Sequence, residues 1–154
     1  MRIVAQRVTG ASVTAAGEVT GAISHGLVAL VAFSRDDAGS GIPTMVEKLL
    51  RLRIFDDAEG RMNLSVVDTG GEVLCISQFT LYGDVRRGNR PSYEASAPRE
   101  IAEPLFYAFC DEVRRHGVRC ATGRFGAEMH VTLTNDGPVT IILDSSDLGR
   151  PRRA

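Results

Sequence analysis

The sequence predicts an α+β fold with a mixed, mostly antiparallel sheet, or a partly closed barrel, and two main helices. Segments with strand-like alternation or continuous hydrophobicity outnumber segments with helical periodicity, and both helical segments lie between strands. The chain has 154 residues, and no repeat or low-complexity segment divides it. This length suits one domain with a substantial core.

The first part of the chain is predicted to form strands. Alternating hydrophobic residues indicate strands over 2–9 and 11–24, with the second strand broken near Ala16 and Gly17. The continuous apolar run over 27–33 is typical of a strand that is buried on both faces.

Two segments have helical periodicity. Hydrophobic residues recur at helical spacing from Ile42, which predicts an amphipathic helix that ends near Arg53. A second helix is predicted over roughly 100–116. Because proline belongs in a first helical turn, Pro104 predicts that the regular part of this helix begins only near Glu103.

The remaining segments resemble strands. The apolar run over 72–77 leads into polar residues, and three further strand-like segments cover 118–123, 129–135 and 139–145. The Asn-Asp-Gly sequence between the last two is a strong hairpin signal. Pro138 argues against a tight Asp-Gly turn, because it has no N–H and restricts the residue before it.

Charge and hydropathy exclude several classes of protein. A net charge of −1 argues against a nucleic-acid binder held by bulk charge alone. No apolar run approaches the roughly 18 residues of a membrane span. The first ten residues resemble a strand rather than a signal peptide. We therefore expect a cytoplasmic protein.

Arginine provides 17 of the 18 basic residues. Several arginines cluster in one loop and in the C-terminal tail: Arg86, Arg87, Arg90 and Arg99, and then Arg150, Arg152 and Arg153. The clusters are consistent with a solvated loop and a frayed tail, or with a bias in composition. They are also consistent with phosphate binding, because the rigid guanidinium fork suits phosphate.

The cysteines and histidines show no spacing typical of metal ligands. They are Cys75, Cys110 and Cys120, and His25, His116 and His130. Each cysteine lies in an apolar stretch, so we expect buried, reduced thiols. The sequence predicts no metal site.

The common catalytic motifs are missing from the sequence. It contains no nucleophile elbow, P-loop, dinucleotide-binding glycine motif or zinc-protease motif. Nothing in the spacing supports a triad built from Ser77 and His130. The remaining candidate is SQFTLYGD, residues 77–84, at the end of a buried strand, where loops carry function. Taken alone, these residues are also explained by a strand end that is capped by hydroxyl groups.

A set of ordered motifs resembles the D-aminoacyl-tRNA deacylase family. QRV near the start, LRIFDDAEGRMNLS, SQFTL, GRFGAEM and NDGPVT occur in the family order. The resemblance covers residues 1–145 and implies a single deacylase domain. Residues 146–154 lie outside the family pattern and are expected to form a basic, flexible tail.

The resemblance implies an activity and an assembly. The expected reaction is hydrolysis of the ester in D-aminoacyl-tRNA, which releases free tRNA and a D-amino acid. This reaction is a chiral proofreading step in translation that rejects L-aminoacyl-tRNA. The implied enzyme is a homodimer that uses no cofactor and no metal, with tRNA as its partner. An aminoacyl ester is already activated, so a site can orient it and stabilise the oxyanion without a strong nucleophile.

The family motif S-Q-x-x-L implies a catalytic role for Ser77, Gln78, Phe79 and Thr80, with Leu81 in a supporting role. Backbone N–H groups around Phe79 and Thr80 are the expected oxyanion donors. Either Thr80 or water can be the nucleophile. Water is favoured because the sequence assigns no base beside Thr80.

A second family motif, Gly137-Pro138, is implied to be cis and to enter the active site of the other subunit. Its carbonyl groups are expected to accept hydrogen bonds from the substrate's α-ammonium group, so that an L-side chain meets a backbone wall. Glycine has no side chain to reject, so glycyl-tRNA is an expected substrate. Arg7 in QRV is expected to hold this segment.

The arginine loop provides the candidate tRNA-binding residues Arg86, Arg87 and Arg90. Two other functions remain as alternatives. One is a non-catalytic dimer that binds nucleic acid through this loop. The other is a general serine esterase, for which the elbow and histidine are missing.

Overall fold

The computed structural model describes residues 1–148, so the arginines of the predicted tail lie outside the described residues. The strands are β1 Arg2–Ala15, β2 Glu18–Ile23, β3 Gly26–Ala32, β4 Phe55–Asp56, β5 Met62–Leu64, β6 Glu72–Ser77, β7 Cys120–Thr122 and β8 Met129–Asp144. The helices are α1 Ile42–Leu50 and α2 Arg99–Arg115, and short 3₁₀ turns cover Phe79–Tyr82 and Ser145–Asp147. No helix within the described range is long and apolar enough to cross a membrane.

The main sheet has six strands in the order β2-β1-β3-β6-β7, and β8 pairs with β1. The β3–β6 and β6–β7 pairs are parallel, and the other pairs are antiparallel. The ends of the sheet approach each other, since a Cβ added to Gly21 would lie 2.6 Å from the carbonyl oxygen of Thr122. A mixed sheet that nearly closes into a barrel is therefore confirmed.

The sheet separates two hydrophobic clusters. The larger cluster packs both helices against one face and includes Leu27 and Cys75. The smaller cluster fills the other face with residues such as Val28 and Leu74. Neighbouring residues of β3 and of β6 thus face opposite clusters, which confirms that both strands are buried on two sides.

The first strand is longer than predicted. Residues 2–15 form one strand without the expected break between residues 9 and 11, and the chain turns at Ala16-Gly17 as predicted. Ala16 and Gly17 both have positive φ, at 52° and 80°. The strand stays continuous because its first half pairs with β3 and its second half pairs with β2, while β8 runs along the other edge.

Both helices have boundaries that differ from the prediction. α1 ends at Leu50 rather than near Arg53, and the chain then takes Ile54 and Phe55 into the core. The helical periodicity extends to residue 50 only, so the predicted helix was about one turn longer than the periodicity supports.

α2 begins at Arg99, so the prediction of a start near Glu103 was wrong. The carbonyl of Pro98 accepts hydrogen bonds from the N–H groups of Ile101 and Ala102, which starts the helix one turn earlier. Pro104 therefore lies inside the helix. Pro104 has no N–H, so one carbonyl group in the first turn lacks its usual donor. That turn is exposed, and water can donate to the carbonyl group instead.

The hairpin signal in the last third was also misleading. β8 continues through Asn-Asp-Gly-Pro and pairs with β1 on both sides of it. The partners shift from Val8 and Asn135 to Gln6 and Thr140, so β8 bulges outward between them. The long β1 strand offers an unbroken partner, which is why the chain does not turn back at this sequence.

Candidate active site

An apolar pocket lies at the C-terminal end of β6, where the family motif S-Q-x-x-L begins. Its volume is about 300 Å³. The lining residues come from β3, β6, α2, β8 and the intervening loops: Val31, Ala32, Phe33, Ile76, Ser77, Gln78, Phe79, Ala97, Ala102, Phe106, Phe125, Gly126, Ala127, Met129 and Val131. None of these lining residues, all within the described part of the chain, carries an ionisable side chain. The pocket is an apolar cleft with a polar floor.

The floor is a tight turn that follows β6 directly. The N–H of Gln78 donates to the carbonyl of Val31 at 2.8 Å, which extends the β3–β6 pairing by one residue. The chain then enters the 3₁₀ turn, whose first hydrogen bond joins the N–H of Leu81 to the carbonyl of Gln78 at 3.2 Å. The N–H groups of Phe79 and Thr80 precede that bond, so the turn leaves them without an internal partner.

Two side chains from distant parts of the sequence hold the carbonyl groups of this turn. The hydroxyl of Ser96 donates to the carbonyl of Phe79 at 2.9 Å. Nη1 of Arg2 donates to the carbonyl of Leu81 at 2.7 Å, and the same guanidinium pairs with Asp144. Each carbonyl shares a rigid peptide plane with the N–H of the next residue. The hydrogen bonds to the carbonyl groups of Gln78 and Phe79 therefore fix the directions of the N–H groups of Phe79 and Thr80.

Thr80 is exposed and lies next to the pocket lining rather than in it. The side-chain amide of Gln78 donates to Oγ1 of Thr80 at 2.5 Å. The lining residues include no histidine, lysine or carboxylate that could take the hydroxyl proton. Tyr82 at the end of the turn stays neutral at ordinary pH, because burial and then the charge of Asp37 raise its pKa to about 12.

Gly137 and Pro138 are both exposed and lie away from the pocket of their own chain. They lie beside Arg7 of β1, whose partner in β3 is Leu27. The corresponding residue of β6 is four positions before Ser77. Gly137-Pro138 is therefore three strand spacings and four residues away from Ser77. In a flat sheet this is a distance of roughly 20 Å.

Gly137-Pro138 is nevertheless held firmly, and its peptide bond is cis. Arg7 is buried, and its Nη1 and Nε donate to the carbonyl groups of Ile54 and Asp136 at 2.6 and 3.1 Å. Gly137 has a φ of 128°, and a Cβ there would lie 2.7 Å from Cγ2 of Val139. Glycine is therefore required at this position by both backbone conformation and space.

The three arginines of the loop differ in their surroundings. Arg86 makes several hydrogen bonds to the carboxylate of Asp84, and these bonds lower the pKa of Asp84 to about 2. Arg87 and Arg90 are exposed. Neither makes an ion pair with any residue in the described range. Arg86 is thus locally neutralised, whereas Arg87 and Arg90 present free positive charge.

Comparison with known proteins identifies the family. The family model for D-Tyr-tRNA(Tyr) deacylase matches residues 4–144. The chain belongs to this family. A D-aminoacyl-tRNA deacylase of Koribacter versatilis (strain Ellin345) is 56% identical over 145 residues, which cover 94% of this chain and 97% of that protein.

Two solved structures resemble this deacylase family member closely. One, described as a c-Myc DNA unwinding element binding protein, is 42% identical, with a TM-score of 0.88, and the match covers 94% of this chain and 98% of that chain. The other is described as a probable eukaryotic D-amino acid tRNA deacylase. It has a TM-score of 0.80 at 20% identity, and the match covers 92% of this chain and 97% of that chain, so it shows the shared fold.

Sequence reasoning located the floor of the pocket but missed most of its walls. Phe106 on α2 and Phe125 in the family motif GRFGAEM line the pocket. Phe125 could have been predicted as a pocket residue, because it lies in a recognised family motif. Ser96 and Arg2, which hold the floor, had none, since nothing in their neighbourhood distinguishes them from surface residues.

Proposed function

We propose that the protein hydrolyses the ester bond of D-aminoacyl-tRNA and of mischarged glycyl-tRNA, and that it rejects L-aminoacyl-tRNA. One observation carries the proposal. In a chain of the deacylase family, the apolar pocket has a floor whose N–H groups at Phe79 and Thr80 are free and fixed in direction. Such donors suit the oxyanion of an acyl-transfer reaction.

The pocket suits the 3′-terminal nucleoside of tRNA. Its walls are apolar, and they include the rings of Phe106 and Phe125. A purine base has two large flat faces that pack favourably against such walls. A terminal adenosine in the pocket places the ester on the ribose next to the floor, at the end of β6.

Water is the nucleophile in this proposal. It forms a bond to the ester carbon while the carbonyl oxygen, now negative, accepts hydrogen bonds from the floor. Collapse of this intermediate breaks the bond to the ribose oxygen, which takes up the proton that the attacking water loses, so that free tRNA and the amino acid leave. Thr80 is a substrate contact in this proposal, because its hydroxyl already accepts a hydrogen bond from Gln78 and the lining residues provide no base.

The second half of the site comes from a second copy of the chain. Gly137-Pro138 is exposed, rigid and remote from its own pocket, and a segment of this kind is suited to contact another molecule. β8 lies at an edge of the sheet, where it pairs only with β1 among the described residues. Ile142 on this strand is 68% exposed. A two-fold dimer brings each Gly137-Pro138 to the pocket of the partner.

Chirality is enforced by exclusion. Backbone carbonyl groups at Gly137-Pro138 accept hydrogen bonds from the α-ammonium group of the substrate, while the floor fixes the ester. With the ammonium group and the ester both fixed, the side chain and the hydrogen at the α-carbon can point in only one direction each. A D-side chain points outward and an L-side chain collides with the backbone, whereas glycine is accepted because it has no side chain.

The tRNA body is held by charge. Arg87 and Arg90 are the principal phosphate contacts of the loop, and Arg86 contributes less because Asp84 neutralises it. The enzyme acts in the cytoplasm, where aminoacyl-tRNA is used in translation. Phosphate contacts of this kind weaken as salt is added.

The decisive assay measures the release of labelled amino acid from D-tyrosyl-, L-tyrosyl- and glycyl-tRNA. We expect hydrolysis of the D-tyrosyl and glycyl esters, and no hydrolysis of the L-tyrosyl ester above the spontaneous rate. Binding without any hydrolysis would favour a nucleic-acid-binding protein, as in the description of the structural relative that binds a DNA unwinding element. Cleavage of simple p-nitrophenyl esters would favour a general esterase.

A further inference from the structure

The three cysteines of the chain meet inside the larger hydrophobic cluster. Cys75 lies on β6, Cys110 lies on α2 and Cys120 begins β7. All three are buried and free. Their sulfur atoms lie within 4.8 Å of one another, and those of Cys75 and Cys120 are 3.5 Å apart. Their spacing in the sequence gave no sign of this cluster.

We propose that Cys75, Cys110 and Cys120 form a three-thiolate site for a thiophilic divalent metal ion of the zinc and cadmium class. Zinc binds thiolate sulfur at about 2.3 Å, which places the sulfur atoms of neighbouring ligands roughly 3.8 Å apart. The Cys75–Cys120 separation of 3.5 Å is close to this value and the other two separations are within 4.8 Å, so small adjustments of the side chains are sufficient to surround an ion. Three thiolates are also the ligand type that these metals prefer.

A positive group lies next to the site. Three thiolates and a divalent ion carry one negative charge in total. The guanidinium of Arg114 lies beside the cluster, where its Nη2 donates to the carbonyl of Cys120 at 3.1 Å, while its Nη1 pairs with Asp111 at 2.7 Å. Its positive charge next to the cluster reduces the cost of burying the negative charge of the site.

The ligands of the bound ion are thiolates rather than thiols. The three cysteines must therefore release their protons to solvent when the ion binds, so the affinity is expected to increase as pH rises.

The bound ion would join three elements beneath the pocket. Cys75 precedes Ser77 by two residues, so both side chains lie on the same face of β6. Phe106, which lines the pocket, lies one helical turn before Cys110 on α2. The site is thus a cross-link between the strand that carries the floor and the helix that forms a wall.

Cadmium titration tests the site in the full-length protein, reduced with a phosphine and freed of metal with a chelator. We expect one cadmium ion per chain, the ultraviolet absorption of cadmium–thiolate charge transfer, and a melting temperature that rises with cadmium concentration. Cadmium bound without the charge-transfer absorption, or no cadmium bound, would overturn the proposal.

Two variants separate ligation from packing. Cys110→Ala removes a ligand, whereas Val113→Ala removes side-chain volume from the same buried part of α2 and leaves all three thiols. Loss of an outer-shell partner weakens metal binding by about 10- to 100-fold, so loss of a ligand is expected to weaken it by more than about 100-fold. Val113→Ala should bind cadmium as the wild type does. Equal affinity in Cys110→Ala and wild type would rule the site out. If Cys110→Ala does not fold, Cys120→Ser provides the same test.

Discussion

The turn at Phe79–Tyr82 and the bulge at Gly137-Pro138 are stabilised in the same way but lie in different surroundings. Each exposes backbone polar groups that are fixed by side chains from distant parts of the chain. Ser96 and Arg2 hold the turn, and Arg7 holds the bulge. The turn forms the floor of a pocket in its own chain, whereas the bulge lies outside that pocket. This difference supports the proposal that the bulge acts in a second copy of the chain.

The two regions also offer opposite polarity. The turn presents N–H groups, which suit the negative oxygen of a reacting ester. In the proposed function, the bulge presents carbonyl groups, which suit a positive ammonium group. If the comparison is correct, changes at the turn affect the chemical step, and changes at the bulge affect a site in the other subunit.

The largest effect is expected from Phe79→Pro, which removes one oxyanion donor. Proline is tolerated at the first position of a helical turn, so the fold should survive. Loss of such a donor lowers kcat by about 100- to 1,000-fold. Phe79→Ala is the matched control, because it removes the same ring but keeps the N–H. Equal losses in both variants would show that the ring, rather than the backbone, is what matters at this position.

The next effect tests whether the site is shared. Gly137→Ala places a Cβ where no space exists, and it should inactivate the homodimer. A purified heterodimer of Gly137→Ala and Phe79→Pro has one site with both halves intact. Because a two-fold dimer has two sites, it should recover about half of the wild-type activity. A heterodimer as inactive as both parents would place the bulge and the turn in separate functions.

A smaller effect is expected from Ser96→Ala, which frees the carbonyl of Phe79 without removing an oxyanion donor. We expect kcat to fall by roughly 10-fold, less than the loss of a donor itself, while KM stays nearly constant. Ser92→Ala, on the exposed part of the same segment, should have little effect. Ser96→Thr should restore kcat. A change confined to KM would assign Ser96 to substrate binding.

Thr80→Ala should be milder still if water attacks the ester. We expect kcat to fall by less than about 10-fold, because the N–H of residue 80 remains in place. Rapid quenching of the wild-type reaction followed by mass spectrometry should find no aminoacyl group on Thr80. A trapped adduct would replace water with Thr80 as the nucleophile.

The smallest effect concerns the exposed loop. The double variant Arg87→Ala and Arg90→Ala should raise KM by a few-fold with kcat nearly unchanged. Two lost phosphate contacts should flatten the slope of log binding constant against log salt by roughly 1.5. The double variant Asp84→Ala and Arg86→Ala is the control, because it removes an ion pair and leaves the net charge unchanged. An unchanged slope in the double variant of Arg87 and Arg90 would show that the loop is a solvated surface and does not bind phosphate.

Much of this architecture follows from local patterns. The buried strands at 27–33 and 72–77 were predicted from continuous hydrophobicity, and both helices were predicted from their periodicity. The boundaries were less accurate, because they depend on contacts rather than on propensity. α2 starts early because Pro98 offers its carbonyl, and β8 continues through a turn-like sequence because β1 runs beside it.

The sequence by itself determined the class of fold, the family and the position of the pocket floor at Ser77–Phe79, because these are encoded in contiguous residues. Tertiary structure alone placed Ser96 and Arg2 on the carbonyl groups of the floor, separated Gly137 from its own pocket, and brought three cysteines together. The physical reason is that hydrogen bonds and metal ligation require atoms to meet within a few ångströms. For residues distant in sequence, that meeting is decided only by how strands and helices pack.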